Sequence, residues 1–215
     1  MMLRTIGLAL ALTMTALPAA TQATEMDHSQ HDMSSAADGS AKVYMDGMAT
    51  MNRDMGAAMT GDADIDFATM MIPHHQGAID MAKVELEYGK NPELRKLSEA
   101  IISAQEGEIA FLKGWLAKNA RAADGDGAQH QHHDPAGKAY MEGMERMNRD
   151  MNADMSGDAD VDFATMMIPH HQGAIDMAKV QLEHGKDAEL KTLSEAVIAA
   201  QEGEIAFLKG WLAKR

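Results

Sequence analysis

The 215-residue chain has no cysteine, which removes disulfides, thiolate metal sites and thiol catalysis together. Aromatic residues make up only 4%, whereas 21 residues are methionine, a residue that does not dominate ordinary compositions. Positive charge is also short. Lys and Arg number 19 against 33 Asp and Glu, a formal net charge of −14, which argues against nucleic acid and anionic membrane surfaces as partners. It draws cations only weakly at physiological salt. No stretch alternates polar and apolar residues with period two, so strands are not expected. The length is enough for one or two small domains with real cores.

The one apolar run, residues 6–17, is too short to span a bilayer. Arg4 ahead of it and Thr21-Gln22-Ala23 behind it give the layout of an export signal over residues 1–23. No lipid-anchoring cysteine follows, so the mature chain is expected to start near Thr24, in the periplasm or outside the cell, with no membrane insertion after cleavage. Residues 24–41 are small and polar and read as a disordered arm. The arm carries Met26, His28, His31 and Met33 in a compact cluster, either a mobile metal-capturing group or an incidental feature of a solvated tail.

Residues 42–118 match residues 138–214 at a constant offset of 96, with 61 of 77 positions identical. This is a tandem duplication, giving repeats over 42–118 and 138–215. Each repeat reads as three helices, so the fold class is all-α. The first repeat's helices are expected over residues 42–59, 64–88 and 92–118, with Asn91 as N-cap and Pro92 at the first position of the third. Pro73 is expected to kink or break the second helix. Residues 119–137 form a Gly-, Asp- and Ala-rich flexible linker with a second histidine cluster, His130, His132 and His133.

The chemistry concentrates in a stretch carried twice, FATMMIPHHQGAIDMAKVEL at 67–86 and its near-copy at 163–182. At about 100° per residue, Met70, Met71, His74 and Met81 share one helix face with Phe67 and Ala78. The second copy offers Met166, Met167, His170 and Met177. Two adjacent histidines cannot share a face, so His75 and His171 flank this one, placed for a second ion or for structure. The first helix adds a stripe of Met45, Met48, Met51 and Met55, repeated as Met141, Met144, Met147 and Met151, and ending in Met59 and Met155. A methionine stripe at helical spacing is usually core. Here almost no Leu, Ile or Phe shares it, although Leu would pack with better-defined rotamers. Thioether and imidazole are the soft ligands left to a chain without cysteine, and together they suit Cu(I). On the third helix Glu108, and Glu204 in the second copy, falls in the middle of the apolar stripe with Gln105 on its edge. A carboxylate there needs a partner, and an imidazole N–H of the histidine pair is the natural one. The rival role is an oxygen ligand for a harder metal.

Both copies resemble the CopM-like copper-binding family, ferritin-like helical domains of unknown function. The resemblance is carried by Asp66, Phe67, Met70, Met71, Ile72, Pro73, His74, His75, Gln76, Ala78, Met81 and Ala82, with Gln105, Glu108 and Ile109 downstream. It implies a ferritin-like bundle for each copy and an exported protein of copper handling with Met/His sites; the tandem arrangement is this chain's own. Cu(I) is the expected metal, with Ag(I) and Cu(II) as further candidates, and periplasmic copper-handling proteins are the expected partners. No catalytic constellation is recognisable, so an enzyme is not expected. A ferritin-like oxidoreductase would need Glu-x-x-His motifs and several inward carboxylates, and Glu-x-x-His is absent. A methionine-rich module that binds partner helices leaves the paired histidines unexplained. Imidazole protonation is expected to weaken the histidine ligands below about pH 6.

Overall fold

The computed structural model describes residues 29–56, 59–119 and 135–215. They form six helices, α1 (Ser29–Met55), α2 (Ala63–Tyr88), α3 (Pro92–Asn119), α4 (Pro135–Asp150), α5 (Ala159–His184) and α6 (Ala188–Leu212), and no strands among the described residues. The chain is therefore all-α, with three helices per repeat.

Two helices occupy the middle for a reason visible in their sequences. α2 buries Phe67, Ala68, Met70, Met71, His74, His75, Gly77, Ala78 and Ile79, which at about 100° per residue take up well over half of its circumference. This leaves a polar strip of Gln76, Asp80, Lys83 and Glu87 toward solvent, and a buried face that wide needs neighbours on more than one side. α5 does the same. The third helices bury only one stripe, Leu94, Ser98, Ile101, Gln105, Ile109, Leu112 and Trp115 in α3. They lie outside. α3 packs on α2 and α6 on α5, α1 covers α2, α4 covers α5, and α2 packs directly against α5. The two repeats are thus one body around a central α2–α5 pair, not two bundles on a tether.

Reciprocal capping fastens the halves. The Asp64 carboxylate in the first turn of α2 accepts from the backbone N–H groups of Lys186 and Asp187 at 2.8 and 3.0 Å, where α6 begins. Asp160 of α5 does the same for Lys90 and Asn91 ahead of α3, both at 2.9 Å. Each carboxylate meets the orphan N–H groups and the positive end of a helix in the other repeat. Tyr140 of α4 donates to the Ala63 carbonyl of α2 at 3.1 Å. Within the first repeat Asp66 ties down the turn before α2, as Asp162 does before α5. Asp66 accepts from the backbone and hydroxyl of Thr60, both at 2.7 Å, and from the Gly61 N–H at 3.1 Å. Gly61 takes φ 83° there, a conformation glycine adopts without steric cost.

Four sequence expectations change. α1 starts at Ser29, so residues 29–41, expected to be disordered, are helical. Their end docks: Ser40 and Tyr44 are buried, and Gly39 faces the Tyr88 ring. α1 stops at Met55, short of Met59. Of the two outcomes expected at Pro73 the break is excluded, because α2 runs through it as one element. The linker is shorter than 119–137, since Asn119 and Pro135 to Gly137 are helical. The export signal, Met26 and His28, the side chains of His31 and Met33, and His130, His132 and His133 lie outside the described residues.

Candidate metal centre

The α2–α5 contact brings four imidazoles together. His74 and His170 face each other with ring centroids 3.9 Å apart and planes inclined by 42°. His75 stands 6.2 Å from His74, and His171 stands 6.3 Å from His170. All four are completely buried. Neither ring nitrogen of His74 or His170 has an aligned hydrogen-bond partner, which is uncommon for buried polar atoms.

Burial holds both facing imidazoles neutral. Desolvation pushes the His74 pKa well below its ordinary value of 6.5, neighbouring His75 and His171 add to this, and a backbone interaction with His170 offsets part of it. For His170 desolvation again leads, followed by His74, His171 and His75, against a backbone interaction with His74. A neutral imidazole keeps a lone pair for a metal. The expected weakening below about pH 6 therefore moves to lower pH at these two positions, because charging a ring inside a dry interior is unfavourable.

At two glycines a thioether of one repeat and an imidazole of the other converge on the same small space. On α2, a Cβ at Gly77 would lie 2.6 Å from Met51 Sδ and 3.2 Å from His170 Nε2. On α5, a Cβ at Gly173 would lie 2.6 Å from Met147 Sδ and 3.2 Å from His74 Nε2. Each glycine clears a space into which one repeat sends sulfur and the other sends imidazole. Sequence reading pointed His74 at the methionines of its own helix and passed over Gly77 and Gly173. A signal was available: glycine in a helix interior costs about 1 kcal/mol relative to alanine, so its presence between His75 and Ala78 needed a reason.

The remaining sequence candidates separate by position. Met55, Met70, Met71, Met81, Met151, Met166, Met167 and Met177 are buried core residues. Met48 and Met144 are partly buried against that core. Met45 and Met141 stand at the surface, 53% and 50% exposed, so the stripe turns out of the interior at its upstream end. His75 Nε2 lies 2.8 Å from Glu108 Oε2 and His171 Nε2 lies 2.7 Å from Glu204 Oε2, at contact distance without full hydrogen-bond alignment. The carboxylates are rim groups, with side chains 22% and 23% exposed. The expected centre and edge of the α3 stripe are thus exchanged, with Gln105 buried and Glu108 outside it. The rotation keeps the carboxylate near water while its tip reaches the ring. Among the described residues no three His, Asp or Glu side chains converge as a metal-holding group. A soft ion held by nitrogen and sulfur suits the donor set at Gly77 and Gly173.

The fold and the site define an all-α tandem-repeat protein with four imidazoles buried where its two central helices meet. The chain belongs to the DUF305 family, described as a domain of unknown function, whose model matches residues 11–110 and 64–212. It is similar to CopM in its Cu(I)-bound form, at 32% identity over 70% of this chain and 96% of that one, with a TM-score of 0.53. The Ag-bound form of CopM obtained by soaking matches at 32% identity over 70% and 95%, with a TM-score of 0.52. A DUF305 protein from Streptomyces coelicolor, assigned as secreted, matches at 26% identity over 73% and 94%, with a TM-score of 0.55. No curated protein sequence matches the chain. No helix among the described residues is long and apolar enough to cross a membrane.

Proposed function

We propose that this is an exported copper-binding protein that buffers or hands over Cu(I) in the periplasm, contributing to copper tolerance, and that it binds rather than catalyses. The observation that supports the reading is the convergence of Met51 Sδ and His170 Nε2 on the Cβ position of Gly77, repeated by Met147 Sδ and His74 Nε2 at Gly173. A thioether has no proton to lose and a desolvated imidazole resists gaining one, so both donors stay competent in mildly acidic surroundings. Their softness selects Cu(I) and Ag(I) over Mg and Ca, which need oxygen ligands. CopM, the relative with structures bound to Cu(I), Cu(II) and Ag, supports the same ligand class here. The dispersed carboxylates give no support to a di-iron oxidoreductase.

The test is a competition between purified mature protein and a Cu(I)-specific chelator, for wild type and for Met51→Leu/Met147→Leu. Leucine is close in volume, and such swaps usually cost less than about 1.5 kcal/mol. The double variant should keep its helical circular dichroism and lose at least about tenfold in Cu(I) affinity, roughly 1.4 kcal/mol. Wild-type affinity in that variant would leave these methionines as packing alone.

A further inference from the structure

The duplication places an occupied site at one end of the α2–α5 pair and, among the described residues, a cleft at the other. Where the second repeat ends, the Arg215 guanidinium lies over the Trp211 ring, 4.2 Å from its centroid. Arg215 Nη1 donates to Asp158 Oδ2 at 3.0 Å, and Nη2 is 3.8 Å from Asp160 Oδ2. An aromatic face with two carboxylates at its edge is a guanidinium receptor: the ring attracts the cation, and the carboxylates take its N–H donors.

At the offset of 96, the same receptor recurs in the first repeat as Trp115, Asp62 and Asp64, and the residue in the place of Arg215 is Asn119. Its short amide turns back on its own helix, donating to the Trp115 carbonyl at 2.9 Å. In place of the guanidinium is a cleft of about 450 Å³ lined by Asp62, Asp64, Trp115, Asn119, Lys186 and Asp187. Its carboxylates are set by backbone donors. Asp62 Oδ1 accepts from Asp64 and Ile65, Asp64 Oδ2 from Lys186 and Asp187, and Asp64 Oδ1 from Gln181, so Asp62 is the carboxylate that matches the one holding Arg215 and Asp64 adds its charge. The lining is also more acidic than its counterpart, because Asp187 stands where the other copy has Asn91, while Lys186 matches Lys90.

We propose that the Trp115 cleft binds a guanidinium group supplied from outside the repeat, in the manner in which the Trp211 site holds that of Arg215. The ligand chemistry is a planar, permanently charged cation, carried by a small molecule or by an arginine side chain of a polypeptide. Ammonium is a poorer fit, since it cannot lie flat on the ring while pointing paired donors at its edge. A single solvent-facing group of this kind binds in the millimolar range. The inference does not depend on copper.

The chain contains two tryptophans, so the indole N–H region of a ¹⁵N–¹H spectrum of the intact protein carries two cross-peaks, assigned with Trp115→Phe. Arginine amide should shift the Trp115 peak saturably and leave that of Trp211 in place. Lysine amide should bind at least about fivefold more weakly, and sodium chloride at equal ionic strength should not reproduce the shift. Asp62→Asn, whose remaining oxygen can still cap α2, should abolish it. Arg215→Ala should make the Trp211 peak respond as well. Each titration is repeated in an Arg121→Ala background, so that the next arginine in the sequence cannot compete; a saturable Trp115 response in either background supports the proposal. A capped Ala-Arg-Ala peptide that binds more tightly than arginine amide identifies a polypeptide side chain as the better ligand, and equal binding identifies the free guanidinium. Absence of a saturable Trp115 shift in both backgrounds, or a shift that salt reproduces or Asp62→Asn preserves, overturns the proposal.

Discussion

Replacing Glu85 by Gln should stabilise the protein by an amount that grows with pH. Glu85 is fully buried near the end of α2, where its carboxyl lies against Gly89. Burial first, then the Asp160 carboxylate and the charge of Asp158, raise its pKa from 4.5 to about 8, with Arg95 acting in the opposite direction. Tyr44 of α1 also faces it, and Arg215 stands near the other side of Asp160. Neither oxygen of Glu85 has an aligned partner. The second repeat shows the alternative: Gln181 donates to Asp64 at 3.0 Å and accepts from Ser194 at 2.9 Å. Because the folded pKa lies above the unfolded one, the native state binds the extra proton between pH 4.5 and about 8. Its contribution is fully present below pH 4.5 and is lost as pH rises through 8, at up to about 1.4 kcal/mol per unit. Gln cannot ionise, and it supplies an N–H for Asp160. At pH 4.5 that N–H replaces the O–H of protonated Glu85, so Glu85→Gln should be close to neutral there, and it should gain roughly 3 kcal/mol by pH 7 as the ionisation cost disappears. Urea denaturation followed by circular dichroism at pH 5, 7 and 9 measures this. A gain of the same size at all three pH values would refute a neutral Glu85.

Gly77→Ala with Gly173→Ala should lower Cu(I) affinity at least about tenfold, because each new methyl displaces the thioether that meets the imidazole. The helix-propensity gain of about 1 kcal/mol per site offsets part of the crowding, so thermal melting shows a smaller change than chelator competition. Asp64→Ala should cost about 2–3 kcal/mol in urea, since it strips the start of α6 and leaves Gln181 without its acceptor. Asp160→Ala should cost less, because it also relieves Glu85, and equal losses would contradict that account.

The sequence shows helices well because helices are local. Asp62, Asn91 and Asp187 announce starts, and the period of apolar residues announces faces. α2 and α5 also reveal that they are central, their apolar and histidine positions taking up well over half of the helix circumference. The contact between them is not legible. His74 meets His170 and Met51 meets His170 across 96 or more residues, and a helical wheel orders only the residues of one helix. The same limit explains Glu108, whose wheel position is near the stripe and whose tip, not its backbone, reaches His75. Glu85 and Gln181 show another kind of blindness. One changed residue between copies reads as drift until both are seen facing an aspartate.

Reciprocal capping has a consequence for the ancestry of the molecule. If a carboxylate on each half closes a helix on the other, the arrangement is that of a two-fold symmetric homodimer whose subunits have been joined into one polypeptide. Severing the connection between residues 119 and 135 should leave the halves associated, and a half expressed alone should pair with itself. The two self-pairings would not be equal. The first half would set Glu85 against Asp64 twice over, two acid pairs in one interface. The second would set Gln181 against Asp160 twice, each amide matched to a carboxylate. Sedimentation of the isolated halves should find the second dimeric across the neutral range and the first dissociating as the solution is made alkaline.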